Sequence, residues 1–156
     1  MNLILDEISP RAINFCPPVR NTVMDDSEFM RVGYSTSGFA MNGIYTTITL
    51  RGTVTESFFT KSKLVFNYDN DNAREIDKIA ALERSILKAA NLHGKDPLHK
   101  LHEQLSSKSI RIFNNDPETA LPLTGDTIEV VVKVSGVWIT ERAYGLTFKF
   151  FNINHP

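Results

Sequence analysis

Apolar and polar residues alternate with a period of two along much of this chain, which predicts β-strands. Asn42-Gly43 is a strong turn signal, and the alternation begins directly after it. We expect one parity to face a core: Ile44, Ile48, Leu50 and Val54. We expect the other parity to face outward: Tyr45, Thr47, Thr49, Arg51 and Thr53. Further strands are predicted at Phe29–Tyr34, at Lys63–Tyr68 (entered through Phe58-Phe59) and at Ser109–Phe113.

The most regular alternation lies near the end of the chain and predicts a β-hairpin. Its first strand places Ile128, Val130, Val132 and Val134 on one face. A bulge at Gly136 would shift the register by one residue, so that Val137 and Ile139 face the core and Trp138 faces outward. After a turn at 141–145, the return strand places Leu146, Phe148 and Phe150 inside, and Thr147, Lys149 and Phe151 outside.

Between these strands the apolar period becomes helical. An apolar stripe runs through Ile76, Ile79, Ala80, Ile86, Leu87 and Ala90. Asp69-Asn70-Asp71-Asn72 supplies capping residues, Asn72 with Glu75 resembles a capping box, and Gly94 is a plausible helix stop. A shorter helix is predicted from Pro97, with Leu98, Leu101 and Leu105 at helical spacing.

This order of elements predicts a mainly β fold with a helical insertion at about 72–105, arranged as an OB-like five-stranded Greek-key barrel. A β-sandwich or another α+β arrangement is the alternative. Residues 1–28 have no regular pattern and contain Pro10, Pro17 and Pro18, so we interpret them as an N-terminal arm, laid over the domain or partly mobile. Residues 29–156 are then the OB-like domain.

Composition limits the classes of protein that fit. The chain has 156 residues, of which 42% are hydrophobic, which suits one domain with a substantial core. No apolar run approaches the ~18 residues of a membrane helix, so no membrane association is expected. Cys16 is the single cysteine, which fits an intracellular location in cytoplasm or nucleus. The net charge of −1 argues against coating of duplex DNA and leaves open a local surface for single strands.

The candidate chemistry is that of binding and not of catalysis. No phosphate-binding glycine loop or catalytic motif occurs, so we expect no enzyme, no catalytic residues and no cofactor. His99 and His102 are three residues apart, but two surface histidines are the simpler interpretation, and no metal is expected. A basic run could extend a groove for a phosphate backbone, although a solvated helical face explains it equally well: Lys88, Lys95, Lys100, Lys108 and Arg111.

The outward parity of the strands combines aromatic rings with cations, the mixture that binds single-stranded nucleic acid. Rings stack bases and cations contact phosphates. The candidates by this argument are Tyr45, Arg51, Lys133, Trp138, Lys149 and Phe151. In the alternative interpretation, Trp138 and Phe151 pack beneath the helix or the N-terminal arm.

Two segments carry a family resemblance. The first is Phe29–Thr36 followed by Phe39–Tyr45, and the second is Gly136–Thr140 followed by Tyr144–Phe150. Together they resemble OB-fold, single-stranded DNA-binding-like proteins of large DNA viruses and related mobile elements. The resemblance implies that the barrel holds single-stranded DNA during replication or recombination, through Trp138 and Lys149 with Arg31 and Tyr34 as neighbours.

The sequence therefore predicts a sequence-tolerant single-stranded DNA-binding protein, with DNA a better candidate than RNA. The alternative is a structural or adaptor protein in which the same barrel mediates binding to another protein or to a second copy, giving a homo-oligomer. The chain ends without the acidic tail of typical replicative binding proteins, which is a point for this alternative.

Overall fold

The computed structural model describes residues 2–22, 26–57, 60–113 and 127–152. The strand entry predicted at Phe58-Phe59 and the loop predicted at 114–117 lie outside the described residues. Within them the chain forms two short 3-10 turns, ten strands and two helices. The bounds are Leu5–Glu7 and Pro10–Ala12 for the turns, then β1 Ile13–Phe15, β2 Val19–Arg20, β3 Glu28–Ser35, β4 Ala40–Asn42, β5 Ile44–Ser57, β6 Lys61–Phe66, α1 Asn70–Ala90, β7 Asp96–Leu98, α2 Lys100–Ser106, β8 Ser109–Phe113, β9 Thr127–Ile139 and β10 Ala143–Asn152.

Five of the strands close into a barrel. The order is β9-β5-β6-β8-β10, and β10 pairs again with β9. All neighbours are antiparallel except β8 and β10, which run parallel. The expected mainly β class with a five-stranded barrel and a helical insertion is thus confirmed. Beyond the barrel, the last part of β9 pairs with β3, and β3 pairs in turn with β1, β2 and β4.

The hairpin of β9 and β10 shows the predicted slip. Gly136 lies opposite Thr147 whereas Val134 lies opposite Phe148, so Ser135 is the extra residue of a bulge. As a result Val137 and Ile139 are buried, as predicted, and Trp138 is half-buried on the outer face. The glycine is required here because a Cβ at position 136 would meet the Met30 carbonyl oxygen and lie 2.5 Å from Cζ of Phe29.

The barrel interior is filled by the side chains that the alternating pattern predicted to face the core. Ile44, Ile48 and Leu50 are fully buried, and Val54 nearly so. The apolar stripe of α1 joins the same core through Ile76, Ile79, Ile86 and Leu87. The helical insertion therefore packs on the barrel and extends its core.

The start of α1 confirms the predicted capping segment 69–72 and differs in the capping box. The N-cap is Asp69, whose side chain accepts a hydrogen bond from the Asn72 N–H at 2.9 Å, so the predicted capping box of Asn72 and Glu75 is wrong. Asn72 is instead buried and bonds to both backbone groups of Arg51, while Glu75 accepts from the Thr49 N–H at 3.0 Å. These bonds supply partners to backbone N–H and C=O groups of β5 at the edge where β6 no longer pairs with it.

The end of the insertion also differs. Asn91, with φ of 47°, terminates α1, so Gly94 is not the stop. Residues 96–98 form β7, which runs parallel to the start of β10, and α2 begins only at Lys100. Pro97 therefore does not begin a helix. Two of the free N–H groups in the first turn of α2, on Leu101 and His102, donate to the buried carboxylate of Glu83 at 2.8 and 2.9 Å.

The N-terminal arm lies on the domain over residues 2–22. Leu3 donates its N–H to the Tyr45 carbonyl at 2.7 Å, and its own carbonyl accepts from Oγ1 of Thr46 at 2.8 Å. Asp6 forms an ion pair with Lys78 of α1 at 3.4 Å. Neither helix of the described residues is long and apolar enough to cross a bilayer.

Candidate functional site

An open groove with a volume of about 550 Å³ runs over the outer surface of β6, β8 and β10. We call it the basic groove and define it by Lys61 and Lys63 of β6, Arg111 and Phe113 of β8, and Lys149 of β10. Gln104 of α2, Glu56 of β5 and Phe148 also contribute to its walls.

The alternation of each strand places these side chains outside. Ser62 and Leu64 on β6, and Ile110 and Ile112 on β8, are buried, so the residues between them point away from the core. The register then sets the neighbours. Lys61 lies opposite Phe113, Lys63 lies opposite Arg111, and the parallel ladder sets Phe113 beside Phe151 of β10.

Phe113 is the aromatic centre of the basic groove. The Nζ atoms of Lys61 and Lys149 lie 5.4 and 5.2 Å from its ring centroid. The ring of Phe151 lies 6.1 Å away, tilted by 49°. Each cation–π contact contributes about 0.5–1 kcal/mol at an exposed site, so the ring holds two ammonium groups at one place on the surface.

The charge of the basic groove is strongly unbalanced. Its described walls carry four cations against one carboxylate, that of Glu56. Within the described part of the chain, the two ion pairs are Lys78 with Asp6 and Lys100 with Glu103, and neither involves a groove cation. A chain with a net charge of −1 therefore concentrates positive charge on one face.

A second set of side chains continues from the groove across β9 to β5. Lys149 lies directly opposite Lys133, and Lys133 lies directly opposite Tyr45. The Lys133 Nζ is 5.5 Å from the centroid of the Tyr45 ring. The structure therefore brings together four of the eight residues predicted from sequence: Tyr45, Lys133, Lys149 and Phe151.

Trp138, Arg31 and Arg51 lie apart from the basic groove. Trp138 is opposite Gly145 and Arg31 is opposite Gly136. Four residues of β10 separate Gly145 from Lys149, which is about 13 Å along a strand. Arg51 is exposed on β5, about 20 Å along the strand from Tyr45 by the same measure.

Tyr34 corrects an expectation of the sequence analysis. It is 4% exposed, its hydroxyl accepts a hydrogen bond from the Ser9 N–H at 2.9 Å, and its ring lies 6.3 Å from that of Phe39. Because β3 turns this side chain inward under the N-terminal arm, it cannot be a surface neighbour of Trp138. Its role is to attach the arm to the barrel.

Sequence reasoning missed Lys61, Lys63 and Phe113 as site residues, and it left Arg111 open between a groove for a phosphate backbone and a solvated helical face. A signal was available. Lys61 and Lys63 share one parity, as do Arg111 and Phe113, so each short strand carries its cations on its outward face. The missing information was which strands are neighbours.

In the described ranges, no three His, Cys, Asp or Glu side chains come together as metal ligands would. Comparisons with protein-family models, with curated proteins and with solved structures find no match to this chain. The function is therefore argued from the geometry of the surface.

Proposed function

We propose that this protein binds single-stranded nucleic acid, DNA in the first instance, along the basic groove and without strong sequence preference. The observation that carries the proposal is Phe113 with the ammonium groups of Lys61 and Lys149 within 5.4 Å of its ring centroid, in an open groove that also contains Lys63 and Arg111. A half-buried ring with an accessible face stacks a base of any identity, and surrounding cations that form no ion pair among the described residues contact the phosphates on either side.

The barrel topology supports the proposal. Counted along the chain, the barrel strands are β5, β6, β8, β9 and β10, and the third and fifth are the parallel pair. We assign this barrel to the OB type, a five-stranded Greek-key barrel that binds oligonucleotides over its second and third strands. In this chain the second and third strands are β6 and β8, which carry four of the five residues of the basic groove.

The resemblance to viral and mobile-element single-stranded DNA-binding-like proteins implies that Lys149 contacts the DNA, and the position of Lys149 in the basic groove supports the same role. It gives a role to Trp138 as well, but the indole packs on Gly145 and lies apart from the basic groove. We therefore propose Phe113 and Phe151 as the stacking residues and Trp138 as a support of the hairpin.

The test is the binding of fluorescently labelled oligo-dT, followed by anisotropy at several salt concentrations. For single strands the slope of log K against log salt is about −0.7 per neutralised phosphate, so four groove cations give a slope of about −3. Replacing Lys61 and Arg111 together by Gln is expected to reduce that slope by about 1.4. Phe113→Leu is expected to weaken binding about 5- to 150-fold, the equivalent of 1–3 kcal/mol for one stacked base.

The matched control replaces Arg84 and Lys88 by Gln, two exposed cations of α1 that do not line the groove, with the same change in net charge. It is expected to retain wild-type affinity and slope. No binding of oligo-dT or oligo-rU at low salt would reject the proposal. In that case measurement of molecular size across protein concentration would test the structural or adaptor alternative, and tighter binding of oligo-rU would reassign the ligand to RNA.

A further inference from the structure

Lys133 and Lys149 lie directly opposite each other across the β9–β10 ladder. Like charges in this position destabilise an antiparallel pair. Neither ammonium belongs to an ion pair among the described residues, whose two ion pairs lie elsewhere. The repulsion between the two ammonium groups opposes folding, whereas an anion placed between the two side chains would neutralise both.

Each of these lysines is also held against an aromatic ring on the strand beyond it. Lys149 Nζ is 5.2 Å from the Phe113 ring on β8, and Lys133 Nζ is 5.5 Å from the Tyr45 ring on β5. Four consecutive barrel strands, β8, β10, β9 and β5, thus present the array Phe113, Lys149, Lys133, Tyr45. The order is ring, cation, cation, ring.

Resting on the proposed function, we propose that the bound single strand leaves the basic groove and continues across β9 to β5, where Tyr45 and Lys133 form a second subsite. A phosphodiester group lies between Lys149 and Lys133, one base stacks on Phe113, and a later base stacks on Tyr45. Three strand spacings separate the two rings, which is about 14 Å at 4.7–4.9 Å each. The ligand is therefore an extended strand of several nucleotides that crosses the barrel strands, and not a mononucleotide or dinucleotide.

Lys133, Lys149 and Tyr45 suit this role because each is at least partly exposed to solvent and is held in place by its strand. Lys149 is exposed, and Lys133 and Tyr45 are each half-buried with part of the side chain at the surface. The barrel below them is rigid, since their strand neighbours Val132, Val134 and Phe150 are buried in the core. The backbone ladder fixes the spacing of the subsites before any ligand binds.

The experiment measures affinity for a series of oligo-dT lengths from three to twelve nucleotides, for wild type, Tyr45→Leu, Lys133→Gln and Phe113→Leu. Phe113→Leu is expected to weaken binding at all lengths. Tyr45→Leu and Lys133→Gln are expected to leave the affinity for the shortest strands nearly unchanged. For the longest strands, Tyr45→Leu is expected to weaken binding about 5- to 150-fold, and Lys133→Gln to weaken it several-fold. Lys133→Gln is also expected to reduce the salt slope for the longest strand by about 0.7.

The control is Arg84→Gln, which removes one exposed cation on α1. Circular dichroism and the thermal midpoint of each variant establish that it is folded. If wild type binds and Phe113→Leu weakens it, but Tyr45→Leu and Lys133→Gln change neither the affinity for long strands nor the salt slope, the second subsite is refuted while the proposed function stands. If wild type binds no length, the proposed function itself fails.

Discussion

The indole of Trp138 packs against Gly145, its direct partner across the β9–β10 ladder. A Cβ at position 145 would lie 2.6 Å from Cζ2 and 2.9 Å from Cε2 of that indole. Two residue pairs further along the same ladder, the ring of Phe29 from β3 covers Gly136 in a similar way. Two glycines of the hairpin are thus places where a neighbouring aromatic ring replaces the missing side chain.

Gly145→Ala is expected to lower the free energy of unfolding by about 1–3 kcal/mol, because the new methyl group forces the indole off its position. Urea denaturation measures the change. The matched control is Gly38→Ala, since a Cβ at Gly38 meets nothing within 4 Å and should change stability by less than about 0.5 kcal/mol. Equal effects of the two substitutions would contradict the packing role of Trp138.

Tyr34→Phe is expected to cost about 0.5–1.5 kcal/mol, because it leaves the Ser9 N–H without its hydroxyl acceptor at a part-buried site. Tyr68→Phe is the control, since Tyr68 is 43% exposed and its contact with Asp77 is long at 3.4 Å. Neither substitution should alter oligonucleotide affinity. A loss of affinity in Tyr34→Phe without a loss of stability would return Tyr34 to the binding site.

Asn72→Ala is expected to destabilise the protein by about 1–3 kcal/mol or more, because it removes the partners of Arg51 N–H, Arg51 C=O and Asn67 C=O in one step. Chemical denaturation gives the change. Asn70→Ala, at an exposed position of the same helical turn, provides the comparison and should be close to neutral. Similar midpoints for both variants would mean that α1 does not depend on its attachment to β5.

The stability of the protein is expected to fall as the pH rises through the titration of Glu83. Burial raises the pKa of this carboxyl above its ordinary value of 4.5, against the opposing effects of the His102 and Leu101 N–H groups and of His99 and His102. The folded state then binds the proton more tightly than the unfolded state. This contribution to stability is fully present below pH 4.5 and is lost as the pH passes the raised value.

The measurement compares wild type with Glu83→Gln by urea denaturation across that pH range. The stability of wild type relative to the variant should decrease with increasing pH, since Gln does not titrate. A relative stability that increases with pH would show that the two N–H groups outweigh burial and that the pKa is lowered. The variant also tests the attachment of α2. Each carboxylate oxygen of Glu83 accepts a hydrogen bond from one N–H of α2, whereas a glutamine side chain has a single oxygen acceptor.

The alternation of apolar and polar residues correctly predicted the strands that keep one face in the core along their length. The parity of Ile44, Ile48 and Leu50 identified the core face of β5, and the shift at Gly136 identified the outward position of Trp138. These succeed because a strand with one face in a core cannot slip by a single residue without exposing every apolar side chain. The same patterns placed the start of α1 at Asn72, because they could not show that β5 would use this side chain.

The basic groove was decided by tertiary structure. Lys61, Arg111 and Lys149 come from three separate parts of the chain and meet only because β8 pairs with β6 on one side and runs parallel to β10 on the other. The sequence by itself determined which residues of each strand face outward, through the period of two. Which outward residues become neighbours depends on strand order and register, and these are set by packing of the whole barrel and not by any local segment.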